Sequence, residues 1–323
     1  MTGMNGKRIL FLVFPVMLAA AIIVALVWNM FQKDSLQVPV PEPVAVTNVR
    51  VRAVGQKTDV APSGIPESPP HGAVATVCGL DPASAGRYET RNNALRSISR
   101  LRNLGAGDTL ELMTYVCSTN LCLRPDREAS LRNDVLNLLR AQDPPPDGLA
   151  EMLAEMVESG SYPPAITDYC IQHLGAMRNG ISDSALRSRI RGVFVAAAGQ
   201  TRLPCAGTAL YALDGDRRAT GDEKAELKRL TLALCRPSAH PAARVAAIQL
   251  AGQRGYAEAL PVLREILANP NRDAVAAIAA AGSTGLLGGP GDIPLLESVA
   301  AKGGRFRPAA ETAAKRIRER MPD

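Results

Sequence analysis

Val245-Ala246-Ala247-Ile248 returns thirty residues later as Val275-Ala276-Ala277-Ile278, and Gly252 and Gly255 are answered at the same offset by Gly282 and Gly285. A second echo follows, in which Pro261-Val262-Leu263 comes back as Pro294-Leu295-Leu296, thirty-three residues on. The three added residues read as an insertion in the loop Gly288-Gly289-Pro290-Gly291, and a closing half-unit carries Ala310, Ala313, Ala314 and Ile317. Recurrence at such a period marks helix pairs that cannot bury their apolar faces alone and must stack on one another.

Working outward, apolar residues recur at helical spacing from Tyr88 onwards, broken by short clusters of Gly, Pro and Asp. Leu149, Met152, Leu153, Met156 and Val157 draw one stripe, and Leu186, Ile190, Val193, Phe194 and Ala197 draw another. Start signals agree with the stripes: Pro163-Pro164 opens one helix, and Ser182 with Asp183 stands at the N-terminus of the next. The spacing predicts about thirteen helices and no strand. Composition agrees, since apolar residues make up 46% of the 323-residue chain, aromatics only 4%, and Ala, Leu and Val dominate. The fold class is therefore all-α, an α-solenoid of antiparallel helix pairs.

Residues 240–320 resemble the short bacterial HEAT-like repeats of the phycobilin-lyase type, in which an Ala-rich first helix ending in Gly precedes a second helix opened by Pro. Residues 73–239 keep the helix-pair rhythm with divergent residues, and residues 240–323 form the HEAT-like part with a C-terminal capping helix. The resemblance implies a curved stack whose concave side binds protein. It also brings a rival from another class, because repeats of this type occur in lyases that attach chromophores to partner proteins. A purely structural envelope component is a third reading.

Ile9 to Trp28 holds twenty residues without a charge, which at about 1.5 Å rise each span about 30 Å, the thickness of a bilayer's hydrocarbon core. The sequence predicts an uncleaved transmembrane signal-anchor helix over 9–28. Lys7 and Arg8 precede it, and Trp28 and Lys33 follow, so the basic bias makes residues 1–8 a cytoplasmic tail and sends the body out of the cytoplasm. A periplasmic location follows if the host envelope has two membranes. Between Asp34 and Gly72 seven prolines stand among Val, Ser and Gly, a spacer that as a coil reaches about 35 Å.

The net charge of +6 is unevenly placed. Outside residues 1–72 the excess is confined to the C-terminal segment, where Arg305, Arg307, Lys315, Arg316, Arg318 and Arg320 face only Glu311 and Glu319. The remaining body is neutral with mixed signs, which does not suit a phosphate-tracking groove, so nucleic acid is not an expected partner. The six cations form a candidate interaction patch, or the polar cap that a solenoid end needs.

The six cysteines all lie after the apolar segment, where disulfides are permitted if the body is translocated. Cys117 and Cys122 flank a Ser-Thr-Asn-Leu turn, and Cys205 begins one helix while Cys235 ends the next, so these four are candidate disulfide partners. No C-x-x-C occurs, and Cys170 and His173 fall on an apolar stripe with Ile166, Leu174 and Met177. Asp214-Gly215-Asp216 lacks the oxygen ligands and Gly of a calcium loop at the following positions. His71, His173 and His240 have no nucleophile elbow to serve. No catalytic, cofactor-binding or metal-ligating residue is assigned, and the expectation is a membrane-anchored, non-enzymatic scaffold with a protein partner and no small-molecule substrate.

Overall fold

In the computed structural model residues 72–321 are described, and the tail 1–8, the apolar segment Ile9–Trp28 and all of the 34–72 spacer except Gly72 lie outside them. Fourteen α-helices and no strand occur among the described residues. They are α1 (Ala73–Cys78), α2 (Tyr88–Ile98), α3 (Ala106–Cys117), α4 (Pro125–Arg140), α5 (Leu149–Ser159), α6 (Pro164–Met177) and α7 (Ser184–Gly199). Then come α8 (Cys205–Asp214), α9 (Gly221–Leu234), α10 (Pro241–Arg254), α11 (Leu260–Ala268), α12 (Ala274–Leu287), α13 (Ile293–Ala301) and α14 (Arg307–Glu319). The periodicity missed α1, whose six residues carry too little pattern to register as an apolar stripe. None of the described helices is long and apolar enough to cross a membrane.

Start signals act where the residues place them. The Asp183 carboxylate accepts the backbone N–H groups of Ala185 and Leu186 at 2.7 and 3.3 Å and opens α7, and Thr220 and Glu223 form a reciprocal cap on α9. Pro125, Pro164 and Pro241 each begin a helix, where the missing N–H costs nothing.

The helices form two layers. Each even-numbered helix packs on the next, from α2 through α14, while α1, α3, α5 and α7 adjoin in the other layer, as do α11 and α13. Ion pairs stitch α9 into that second layer: Arg191 of α7 reaches Glu223 at 2.9 Å and Glu226 at 2.8 Å, and Lys228 of α9 reaches Glu258 ahead of α11 at 2.5 Å. Every odd-numbered helix also packs on the even-numbered one that follows it, giving seven pairs. This is a two-layer helical solenoid, with its Leu, Ile, Val and Ala core between the layers.

From α6 onwards the even layer is closed by small residues. A Cβ on Gly175 would lie 3.1 Å from Ala212 Cβ, one on Gly207 2.9 Å from Ala246 Cβ, one on Gly252 2.6 Å from Ser283 Oγ, and one on Gly285 2.9 Å from Ala313 Cα. Each helix junction thus holds a glycine pressed onto an alanine or serine, which sets a close interaxial approach.

The repeat register differs from the one read in the sequence. Helices α10, α12 and α14 start at 241, 274 and 307, and α11 and α13 start at 260 and 293, so the unit is thirty-three residues throughout. The equivalent glycines are Gly252 and Gly285. Gly255 instead ends α10 in the left-handed conformation at φ 72°, and Gly282 is exposed. The loops Gly255–Ala259 and Gly288–Asp292 are of equal length, and the expected insertion is absent. An Ala-rich helix returns nearly the same face after three residues, so a slip of one turn preserves the apparent match.

Candidate functional site

Earlier in the chain, helix junctions use charge and hydrogen bonds in place of glycine. Arg91 of α2 and Glu128 and Arg132 of α4 are each at most 1% exposed. Glu128 takes Arg132 Nε at 3.2 Å and the Tyr115 hydroxyl at 2.9 Å, with Arg91 3.7 Å away. Both guanidinium groups lie over the Tyr115 ring, at 5.0 and 5.3 Å from its centroid. Burial and the adjacent Glu128 carboxylate push the Tyr115 phenol well above its ordinary range, so it stays a donor.

Most of the network's remaining donors go to backbone carbonyls at helix ends and in loops, while Arg91 Nη2 is buried without a partner. Arg132 donates to the carbonyls of Val116 and Asn120 at 3.2 Å and of Ser118 at 2.5 Å, while Leu123 N–H donates to Glu128. Arg91 donates to Val77 and Ala85 carbonyls at 2.8 and 3.1 Å. A loop without regular structure, residues 118–124, is thereby fixed from beneath. One further bond pins its start: the Tyr162 hydroxyl donates to the Cys117 carbonyl at 2.6 Å.

This fixed loop rims an open hollow of about 620 Å³ between α3 and α5, lined by Leu110, Met113, Thr114, Cys117, Ser118, Thr119 and Met152. Leu110 is 67% exposed, the highest of any large apolar side chain among the described residues. The walls are thioether and aliphatic and the rim is hydroxyl-bearing, a combination that receives apolar side chains and can adapt to their shape. No titratable group stands in it except the Cys117 thiol, which burial holds above its ordinary range.

The residues singled out in the sequence are dispersed. All six cysteines are free thiols, so the candidate disulfides Cys117–Cys122 and Cys205–Cys235 are corrected. Cys117 turns into the hollow while Cys122 is exposed on the loop. Cys205 and Cys235 are both buried but meet different charges, Asp168 of α6 and Arg244 of α10. Burial pushes the Cys235, Cys170 and Cys78 thiols up to about 12, so they remain protonated core groups.

In the C-terminal patch Arg307 pairs with Glu311 at 2.7 Å, Lys315 with Glu319 at 3.7 Å and Arg318 with Glu297. Arg320 donates to the carbonyls of Leu286 and Gly288, leaving Arg305 and Arg316 with no acid partner among the described residues. His173 is buried and shares a 3.1 Å hydrogen bond with Asn133, and desolvation lowers it to about 4. His240 caps α10 by accepting Ala242 N–H. Asp214 and Asp216 are taken by Arg254 and Arg178. Among the described residues no three His, Cys, Asp or Glu side chains converge as a metal site.

Sequence reasoning missed the hollow and the network below it. A usable signal was present: Arg91 precedes Leu95 and Ile98 by four and seven residues, and Arg132 falls among Leu131, Val135, Leu136 and Leu139, so each arginine occupies a position on an apolar stripe.

No curated protein and no solved structure matches this chain. HEAT repeats commonly mediate protein interactions, and a two-layer helical solenoid of this kind suggests a protein-interaction scaffold. The part of the chain that carries the regular thirty-three-residue unit, residues 227–315, matches the family described as HEAT repeats.

Proposed function

We propose that the protein is a membrane-anchored, extracytoplasmic and non-enzymatic scaffold that holds a partner polypeptide by an apolar side chain seated in the α3–α5 hollow. The observation that carries the reading is the exposed Leu110 beside Met113 and Met152, on a wall fixed by the buried Arg91–Glu128–Arg132 network. A preformed apolar hollow on a rigid support suits a binding anchor, because little ordering entropy is spent when a partner docks. An open hollow with no acid or base in its lining, whose one thiol, Cys117, burial holds above its ordinary range, favours binding over chemistry. Anchoring rests on the uncharged stretch Ile9–Trp28, and export on the cations Lys7 and Arg8 before it.

The test places a photo-crosslinking residue at Leu110 in the full chain in intact cells, with the same residue at the exposed Thr312 of α14 as control. The scaffold reading expects one discrete protein adduct at position 110 that is lost when Met152→Asp is added. Equal adducts at both positions, or none at 110, would sink it. Topology is read separately: an impermeant thiol reagent outside sealed cells labels the exposed Cys122 if the domain is exported, and only after lysis if it is not.

A further inference from the structure

The four loops that lead from odd to even helices between α7 and α14 are Gln200–Pro204, Cys235–His240, Asn269–Asp273 and Lys302–Phe306. Bonds between neighbours place them along one edge of the stack. His240 N–H donates to the Thr201 carbonyl at 2.8 Å, Arg244 at the start of α10 lies 3.8 Å from Asp273, and Lys302 Nζ donates to the Ala268 carbonyl at 3.3 Å.

Each loop carries one exposed arginine, Arg202, Arg236, Arg272 and Arg305, and none of them pairs with an acid of the described residues. With Lys302 they make five cations on this edge against the single acid Asp273, whose carboxylate already faces Arg244 and caps α12. The opposite edge over the same helices is balanced differently, with Asp183, Asp216, Glu258 and Asp292 beside Arg178, Arg217 and Arg218. Elsewhere in this half several cations pair with neighbouring acids, as Arg191, Lys228, Arg254 and Arg264 show, while Arg217 and Arg218 on the opposite edge have acids beside them in their own row of loops. One exposed arginine per repeat recurs along this edge, and the excess of cations over acids in its loops is absent from the loops of the opposite edge.

We infer that this edge docks on an anionic phospholipid surface. Helices of one layer lie about 8–10 Å apart, so the four guanidinium groups form a row of roughly 30 Å. Such a row, with no cavity beside it, suits many headgroups on a plane better than one inserted side chain. The inference rests on the anchor reading above, which holds the domain within reach of the bilayer at high effective concentration and lets weak contacts suffice. Each basic residue near an anionic surface strengthens attachment roughly fivefold.

The experiment uses the full chain with a fluorophore on the exposed Cys122, incorporated into vesicles of phosphatidylcholine alone or of phosphatidylcholine with phosphatidylglycerol. Energy transfer to a headgroup-labelled lipid reports how closely the domain lies on the membrane. Transfer is expected to be higher on the anionic vesicles, to fall as salt is raised, and to return to the phosphatidylcholine value in the R202Q/R236Q/R272Q/R305Q variant. The pairwise R236Q/R272Q variant should fall between. Equal transfer on both lipids, or an unchanged fourfold variant, overturns the inference. Binding of soluble polyglutamate without preference for anionic vesicles also overturns it, in favour of an acidic protein surface. Flotation with phosphatidylcholine vesicles tests the anchor itself. If the chain fails to float there, the anchor reading is lost, and flotation with anionic vesicles still decides the fate of the arginine row.

Discussion

The two ends of the solenoid solve one packing problem with opposite chemistry. Between α2 and α6 neighbouring even helices are joined by Arg91–Glu128 and by Asn133–His173, whereas from α6 to α14 every junction is a glycine against an alanine or serine. Small-residue junctions are interchangeable and give a uniform frame. Polar junctions are particular to their place, and the one built on Arg91, Glu128 and Arg132 lies under the loop that rims the α3–α5 hollow. The difference teaches that a regular repeat closes its layer with small residues, while departure from the repeat closes it with polar groups specific to each joint.

The largest expected effect comes from removing the shared acid. Glu128→Gln leaves Arg91 and Arg132 buried without their counter-charge and should cost about 3–5 kcal/mol, seen as early amide exchange in α1–α4 while α10–α14 stay protected. Uniform exchange along the whole stack would break the division between the two ends.

A smaller loss is expected when the frame is overpacked. Gly285→Val would drive methyl groups into the Ala313 backbone, already only 2.9 Å from a single added Cβ, and should cost about 1–3 kcal/mol, with the disturbance confined to α12 and α14. A wild-type melting curve from this variant would show that close approach does not govern the layer.

Acidity should separate the ends again. An unfolded imidazole takes up a proton below about 6.5, while folded His173, desolvated and facing Arg140, holds out to about 4. Stability therefore declines as pH falls through that window, by up to about 1.4 kcal/mol per unit. Asp134 and Asp168, whose carboxyls burial holds above the usual range, lean the other way near the bottom of the window. His173→Gln should flatten the decline, and an identical slope in that variant would assign it elsewhere. The least effect belongs to the exposed pair Lys228–Glu258, where Lys228→Met should leave the melting temperature unmoved within error.

Much of this frame was legible because its signals are local and repeated: apolar stripes, a proline or a capping Asp or Thr at many helix starts, and a glycine in each even helix from α6 to α12. The register slipped because three residues of an Ala-rich helix are nearly one turn, and only the packed glycines Gly252 and Gly285 resolve it. The network was illegible for the opposite reason. Arg91, Tyr115, Glu128 and Arg132 are spread over forty-two residues of divergent sequence, and nothing local says that a charged side chain will find its counter-charge inside. The cysteines misled in a third way, since proximity along a hairpin does not fix which face a thiol takes.

The equal spacing of α10, α12 and α14 carries a consequence for how such a chain can change over time. Each thirty-three-residue segment meets only the segments on either side of it, through loops of one length. A duplication or loss of one whole segment at the DNA level would therefore lengthen or shorten the rod by one step and leave both flanking joints intact. A change of thirty residues, as the raw letters invite, would rotate every later helix off its seat.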